Sequence, residues 1–536
     1  MIKKIWVVCC IITVIFTGCA SSKVSQSIKS VSPYSFGLLK AKTGEERFNV
    51  LLQTHKYANQ NGLSVDYSGI HKIDLIIPKG AESIPLSIVN DFANVVFNVT
   101  NKTEDCFLFS YVNKSVNVDV AKHLIDRRVF TSIKQLKSGT VILSIADENP
   151  WIENRKGYNY GHIREDVLLI KKGKAQNKTV LPYGNVQSKP ICKAYRVEYP
   201  YLSIENITLI RAAGCTSKTY LCNIVGTDNV QLKNVSINTI GNDLVDDKAI
   251  RIENCTNVSF ESVKINGTYS RSNHSGYGIC MNNVWNFKAT NLSAFGSWGV
   301  FGNNNMNEVS ISDSEINRFD VHCYGKNIGF HNVCFRNLYN QFSSVFGIIE
   351  FDNCTFDDFV PVLYEPSYDV QNQHNIVFKN CVFTLSKSRN YLVALNSISE
   401  ERSIRPELYE KCWPGVTIEN MRVIVSDSTT EMDLFLYPKG GIKSVDRILD
   451  IDIDGMDFDY KASSKPIDMY VSNESVSSKA PVKININELN LNTANQTKSD
   501  YSIETKGNFI TNIQAECISS SSSVTKSRIT NSLLFE

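Results

Sequence analysis

One pattern recurs along the chain and restricts its fold more than any other feature: apolar-x-apolar-x-Asn-x-x-apolar. It is clearest at Leu202-Ile204-Asn206-Leu209, Val230-Leu232-Asn234-Ile237, Ile328-Phe330-Asn332-Phe335, Ile349-Phe351-Asn353-Phe356, Ile376-Phe378-Asn380-Phe383 and Val416-Ile418-Asn420-Val423. Weaker copies fall at Ser262, Asn291 and Asp313, and two more run through Gly455 and Glu488. The ladder positions 206, 234, 262, 291, 313, 332, 353, 380 and 420 lie mostly 19 to 29 residues apart, the length of one turn of a solenoid. Alternating apolar residues make short strands with one buried face. Asn tolerates a left-handed corner, and its amide can bond the Asn of the next coil. A leucine-rich repeat would demand a fixed Leu-x-x-Leu-x-Leu frame, which is missing. The pattern predicts an all-β chain wound as a right-handed, single-stranded parallel β-helix.

The chain of 536 residues exceeds one ordinary globular core, which a repeat architecture accommodates. Its formal charge of +2 gives no case for a nucleic-acid partner. Lys3 and Lys4 precede an apolar run from Ile5 to Phe16 that is too short to span a bilayer stably. It ends Phe16-Thr17-Gly18-Cys19, which resembles the lipobox of bacterial lipoproteins, with Cys19 the residue that is lipidated. That resemblance implies a signal peptide over 1–19 and a membrane anchor through the lipid. In a Gram-negative cell it implies an outer-membrane location, facing the periplasm or the cell surface. Residues 20–40 are rich in Ser and Lys near their start and read as a tether. The cysteines beyond the leader form neither CxxC pairs nor Cys/His clusters at zinc spacing. Cys334, Cys354 and Cys381 are expected as small buried hydrophobes.

Thr43-Gly44-Glu45-Glu46 has the spacing of a capping box, and Phe48, Leu51, Leu52 and Ala58 follow at helical intervals before Gly62. A capping helix within 41–64 should therefore cover the open first coil of a β-helix over 65–536. Residues 125–190 fit the repeat poorly and read as an insertion that would bring further cations and aromatics if it folded over the helix. Beyond 430 the repeat loosens, suggesting irregular terminal coils.

The densest chemistry lies in Arg318-Phe319-Asp320-Val321-His322-Cys323-Tyr324-Gly325-Lys326. Treated as one extended strand, it sends Phe319, Val321 and Cys323 inward and Arg318, Asp320, His322, Tyr324 and Lys326 to solvent. Counting from the ladder places His322 over Phe301, Cys280 and Arg251, and Tyr324 over Asn303, Asn282 and Glu253. Asp320 would then lie over Gly299 and Gly278, a low floor open to a bulky ligand. Tyr339 and Gln341 of the next coil fall beside Arg318 and Asp320. His274 sits in a long loop, as groove walls do. Asp243, Asp246 and Asp247 form an acidic cluster that could bind calcium or supply catalytic carboxylates.

The ladder and its strands resemble the pectin-lyase-like superfamily over roughly residues 65 to 530, and the lipobox adds a likeness to polysaccharide-utilisation lipoproteins of Bacteroides-type bacteria. That superfamily holds polysaccharide lyases, polygalacturonase-type hydrolases and phage tailspikes. The resemblance implies an acidic polysaccharide as partner. For a lyase acting by β-elimination, Arg318, Lys326 or Arg251 would neutralise the sugar carboxylate, His322 would take the proton and Tyr324 would protonate the leaving oxygen, with Asp320 orienting them. Arg251, Glu253, His274, Asn282, Asn303, Phe301, Tyr339 and Gln341 would contact substrate, and calcium could sit at Asp243, Asp246 and Asp247. A polygalacturonase-like hydrolase would use carboxylates instead. Here Asp246-Asp247 is present, but Asn242-Asp243 lacks the family's intervening Thr, and neither Gly-His-Gly nor Arg-Ile-Lys is present. A non-catalytic surface glycan-binding β-helix is the third expectation.

Overall fold

Each coil of the chain returns the backbone to the place where the previous coil left it, so strands pair in parallel with their counterparts one turn away. The computed structural model describes residues 29–101, 106–152, 162–180, 182–184, 186, 188–211, 219–239, 249–266, 277–295, 299–321, 325–343, 345–365, 375–385, 387–395, 415–426, 429, 431–437, 449–460, 468–473, 480–493, 502–507, 509–515, 518–520 and 528–532. Among the described residues its main sheet joins 27 strands, all paired in parallel, from Lys72–Ile76 to Arg528–Ser532. The chain is a right-handed parallel β-helix. Parallel pairing continues through the coils beyond 430, where the sequence suggested irregularity.

The corners carry the ladder. Asn206, Asn234, Ser262, Asn291, Asp313, Asn332, Asn353, Asn380 and Asn420 all adopt left-handed backbone, with φ between 48° and 56°. That conformation strains most L-residues and is relieved by a short polar side chain. The amides also bond from coil to coil: Asn234 Nδ2 donates to Asn206 Oδ1 at 2.9 Å and Asn332 Nδ2 to Asp313 Oδ1 at 2.7 Å. Two further left-handed ladders went unread in the sequence. One runs through Asn229, Asn257, Asn286, Glu308 and Asn327, the other through Asn254, Asn283 and Asn305. They divide each long strand into shorter straight segments that wrap the core.

Inside, aromatic rings repeat the coil spacing. Phe330, Phe351 and Phe378 stack at 5.1 and 5.2 Å between centroids, and Phe335 stacks on Phe356 at 5.1 Å. Cys354 and Cys381 are buried beside the ladder, as expected, but Cys334 is half-exposed on the outer face, because Val333 and Phe335 on either side of it turn inward.

The helix Gly44–Asn61 closes the N-terminal end. Thr43 and Glu46 form the capping box, and Phe48, Leu51, Leu52 and Ala58 are buried in the same core as Phe92, Phe97 and Phe109. His55, also buried there, contacts the Tyr67 hydroxyl at 2.8 Å and the Pro85 carbonyl at 3.1 Å.

Between the coils, strands from Ser115–Asn117 to Ile191–Arg196 leave the helix and form, among the described residues, a five-stranded antiparallel sheet. Alternation in its strand His162–Lys171 gives that sheet two buried faces. Leu168 and Ile170 pack into its own core with Leu143, Ile145 and Tyr183. Val167 and Leu169 point the other way, and with Ile142 and Tyr195 they pack against Val225 and Trp285 of the coils. The inserted sheet is thereby held against the side of the β-helix. Among the described residues no helix is long and apolar enough to cross a membrane.

Candidate functional site

The outer column through Arg251, Cys280, Gly302, Asp320 and Gln341 defines the face of interest, each residue pairing with the next on successive coils. Arg251 over Cys280, and Glu253 over Asn282, stand as counted from the ladder, and Gln341 lies beside Asp320 as expected. From Ile279 onward the register differs, by one residue at the next coil and by three at the coil after it. Ile279 pairs with Phe301, and Phe301 pairs with Phe319. Phe301 is therefore fully buried, its ring 5.0 Å from that of Phe319, and offers no platform to a sugar. The coil step from Asn291 to Asp313 is 22 residues, and the same step carries Ile279 to Phe301.

Gly302, not Gly299 or Gly278, lies under Asp320. The space above it is taken by the protein itself: a Cβ on Gly302 would sit 2.3 Å from the Tyr277 ring. Tyr277 extends over the glycine and donates its hydroxyl hydrogen to Asp320 Oδ2 at 3.0 Å. Arg318 Nε donates to Asp320 Oδ1 at 2.5 Å and its Nη2 to Gln341 Oε1 at 3.0 Å, while its guanidinium lies 4.2 Å over the Tyr339 ring. Arg318 and Asp320, expected to face solvent, are both fully buried. Burial pushes the Asp320 carboxyl up to about 6, against the opposing pull of Arg318 and Tyr277. This cluster holds the face together, with its guanidinium committed to internal partners.

Lys326 stands elsewhere. It pairs with Asn307, which pairs with Trp285, so it lies beyond the corner marked by Asn283 and Asn305 and on a different strand from Asp320. His322, Tyr324, His274, Asp243, Asp246, Asp247 and Cys19 lie outside the described residues, as does the side chain of Asn303. Among the described residues no group of three His, Cys, Asp or Glu side chains could hold a metal ion.

Lower on the same face the chain brings together groups the sequence did not connect. Arg251 Nε donates to Glu253 Oε1 at 2.7 Å, with the Arg251 side chain 43% exposed and so open to a ligand. From the inserted sheet, Glu165 reaches the helix, where Asn282 Nδ2 donates to its Oε2 at 3.2 Å and Asn305 Nδ2 at 3.1 Å. Burial raises the Glu165 carboxyl above its ordinary range, and the neighbouring Glu253 charge adds to this, while Asn282, Lys193 and Asn305 oppose it. Glu165 was missed because its strand lies a hundred residues from the coils it touches. Its one sequence signal is parity: Arg164 and Asp166 pair inside the inserted sheet, so Glu165 between them must point out of it. Chemically, a half-buried carboxyl that favours its proton stands next to a carboxylate ion-paired with arginine, and amides and an accessible guanidinium surround them. A carboxyl that holds its proton and one that stays ionised are the two states that general acid and general base require.

No family model and no curated protein sequence matches the chain. Solved structures do resemble it. The tailspike protein gp49 of Pseudomonas phage LKA1 matches with a TM-score of 0.52 at 11% identity, over 84% of this chain and 80% of that one. The Gp54 tailspike of Acinetobacter baumannii bacteriophage AP22, solved with a capsular saccharide, matches with a TM-score of 0.49 at 12% identity, over 94% and 79% of the two chains. At such identities the first likeness speaks for the parallel β-helix fold, and the site has to be read from this chain's own residues.

Proposed function

We propose that the protein binds and cleaves a uronic-acid-containing polysaccharide on the face that carries Arg251, Glu253, Asn282 and Glu165. The observation that carries this reading is the carboxyl pair. Glu165 keeps its proton more readily than an ordinary glutamate and can donate it to a glycosidic oxygen. Glu253, paired with Arg251, supplies the carboxylate that activates water, and Arg251 attracts an acidic sugar. This is hydrolysis, with the carboxylates drawn from the inserted sheet and the coils instead of the Asp-Asp pattern of polygalacturonases.

β-Elimination is the second reading. It rests on His322 as base and Tyr324 as acid, with Arg251 as neutraliser, since Arg318 is committed to Asp320 and Lys326 lies on another strand. Product chemistry separates the two. With a panel of pectins, alginate, chondroitins, hyaluronan and heparinoids, hydrolysis gives new reducing ends without ultraviolet absorbance. Elimination gives an unsaturated, absorbing sugar that is lost in His322→Ala, and sensitivity to chelator would bring calcium into it. Binding without either product would make the face a glycan-binding surface. The leader and Cys19 complete the proposal by anchoring the protein to the bacterial outer membrane through lipid, which Cys19→Ala would abolish.

A further inference from the structure

We propose that the seam between the inserted sheet and the β-helix holds a separate subsite for an anionic sugar unit, built on Trp285, Asn307, Lys326 and Lys178. Trp285, Asn307 and Lys326 stand in register on three successive coils, so ring, amide and ammonium form one outer column. The column lines a cavity of about 360 Å³, to which the inserted sheet contributes Lys178. That volume falls within the ~300–1,000 Å³ of small-ligand pockets.

Each wall is fixed by packing that a ligand does not need to provide. Trp285 rests on the cluster of Ile142, Val167, Leu169 and Tyr195. Lys178 follows Asn177, whose amide is locked by bonds of 2.8 Å to the Leu169 N–H and the Val167 carbonyl. Asn307 carries the sharpest signal. It is only 5% exposed, and its buried Oδ1 has no hydrogen-bond partner among the described residues. An unsatisfied buried amide is costly, and a small rotation of the side chain toward the cavity it lines would let a ligand hydroxyl satisfy it. Neither lysine forms an ion pair among the described residues, whereas the one carboxylate of the cavity, Glu308, already accepts from Asn327 Nδ2 at 3.0 Å.

An apolar ring face, a hydroxyl acceptor and two ammonium groups suit a sugar ring that bears a carboxylate or sulfate. The strand that supplies Glu165 also supplies Leu169, about 13 Å further along, so the seam continues the proposed cleavage face. The inference rests on the polysaccharide reading for the chain that would bear such a unit, while occupancy by a single sugar acid does not require cleavage.

Saturation-transfer NMR on the full-length protein tests it, with D-glucuronic acid and D-glucose 6-sulfate as the two acidic probes and D-glucose as the neutral one. Expected is saturable binding of at least one acidic probe in preference to glucose. Lys178→Gln/Lys326→Gln and Asn307→Leu should each weaken it about tenfold or more, with unchanged circular dichroism. Cleavage is assayed separately on the polymer, so failed cleavage with retained probe binding and a failed subsite give different results. Equal binding of glucose, no binding of either acid, or unchanged affinity in both the lysine and Asn307 variants would overturn the subsite.

Discussion

Tyr277 and Asp320 meet across Gly302. The phenol starts two coils below the aspartate, lies over a residue with no side chain and donates to Oδ2 at 3.0 Å. Gly302→Ala should displace the ring, since the added carbon would fall 2.3 Å from it. The expected cost is about 1–3 kcal/mol. Tyr277→Phe removes a charge-assisted bond worth about 1.5–3 kcal/mol. Because both changes break one contact, urea unfolding of the double variant should show less than the sum of the two losses.

Asp320 also sets a pH dependence. Its carboxyl titrates near 6 when folded, above the ~3.9 of an unfolded aspartate. The folded state thus binds the extra proton, so this contribution to stability is full below about pH 4 and is lost as pH rises through about 6. In Asp320→Asn the stability difference from the parent, measured by urea midpoints from pH 4 to 7, should change in that direction. The substitution should also cost stability throughout, because it leaves Arg318 buried without its carboxylate.

His55 works with the opposite sign. Burial lowers the imidazole to about 4, below the ~6.5 of an unfolded histidine. Its contribution is present above about pH 6.5 and is lost as pH falls through about 4. Acid should therefore loosen the N-terminal cap early. Hydrogen exchange in the helix Gly44–Asn61 should rise on acidification more steeply than in the strand Ile328–Phe335 region, and His55→Gln should reduce that difference.

The ladder makes a local prediction. Asn332 combines a left-handed backbone with a bond to Asp313. Asn332→Ala should cost about 1–2 kcal/mol for the backbone alone, and Asn332→Gly should lose only the side-chain bonds to Asp313 and Asn353 and so melt later than the alanine variant.

What the sequence disclosed and what it concealed follow one physical division. The left-handed corners at Asn206 through Asn420, and the Thr43–Glu46 cap, depend on a residue and its immediate neighbours, so they could be read directly. Stacking by counting worked from Arg251 to Cys280, where coil lengths match. It slipped at the next coil, where the step between ladder positions falls from 29 residues (262 to 291) to 22 (291 to 313). The row from Arg318 to Lys326 was read as one strand because the corner ladder through Asn283 and Asn305 lacked the apolar frame of the main repeat. Glu165 depended on where the inserted sheet docks, a tertiary fact with no local mark beyond its charged neighbours.

The role given to Glu165 is tested most directly by comparing the parent with Glu165→Gln on an acidic polysaccharide that the parent cleaves. New reducing ends and ultraviolet absorbance would be followed from pH 4 to 8. The expected result is reducing ends without absorbance, a rate about 10²–10⁴ lower in the variant, and loss in the parent of activity on the alkaline side as Glu165 gives up its proton. Undiminished cleavage by Glu165→Gln, or an absorbing product that disappears instead with His322→Ala, would contradict it.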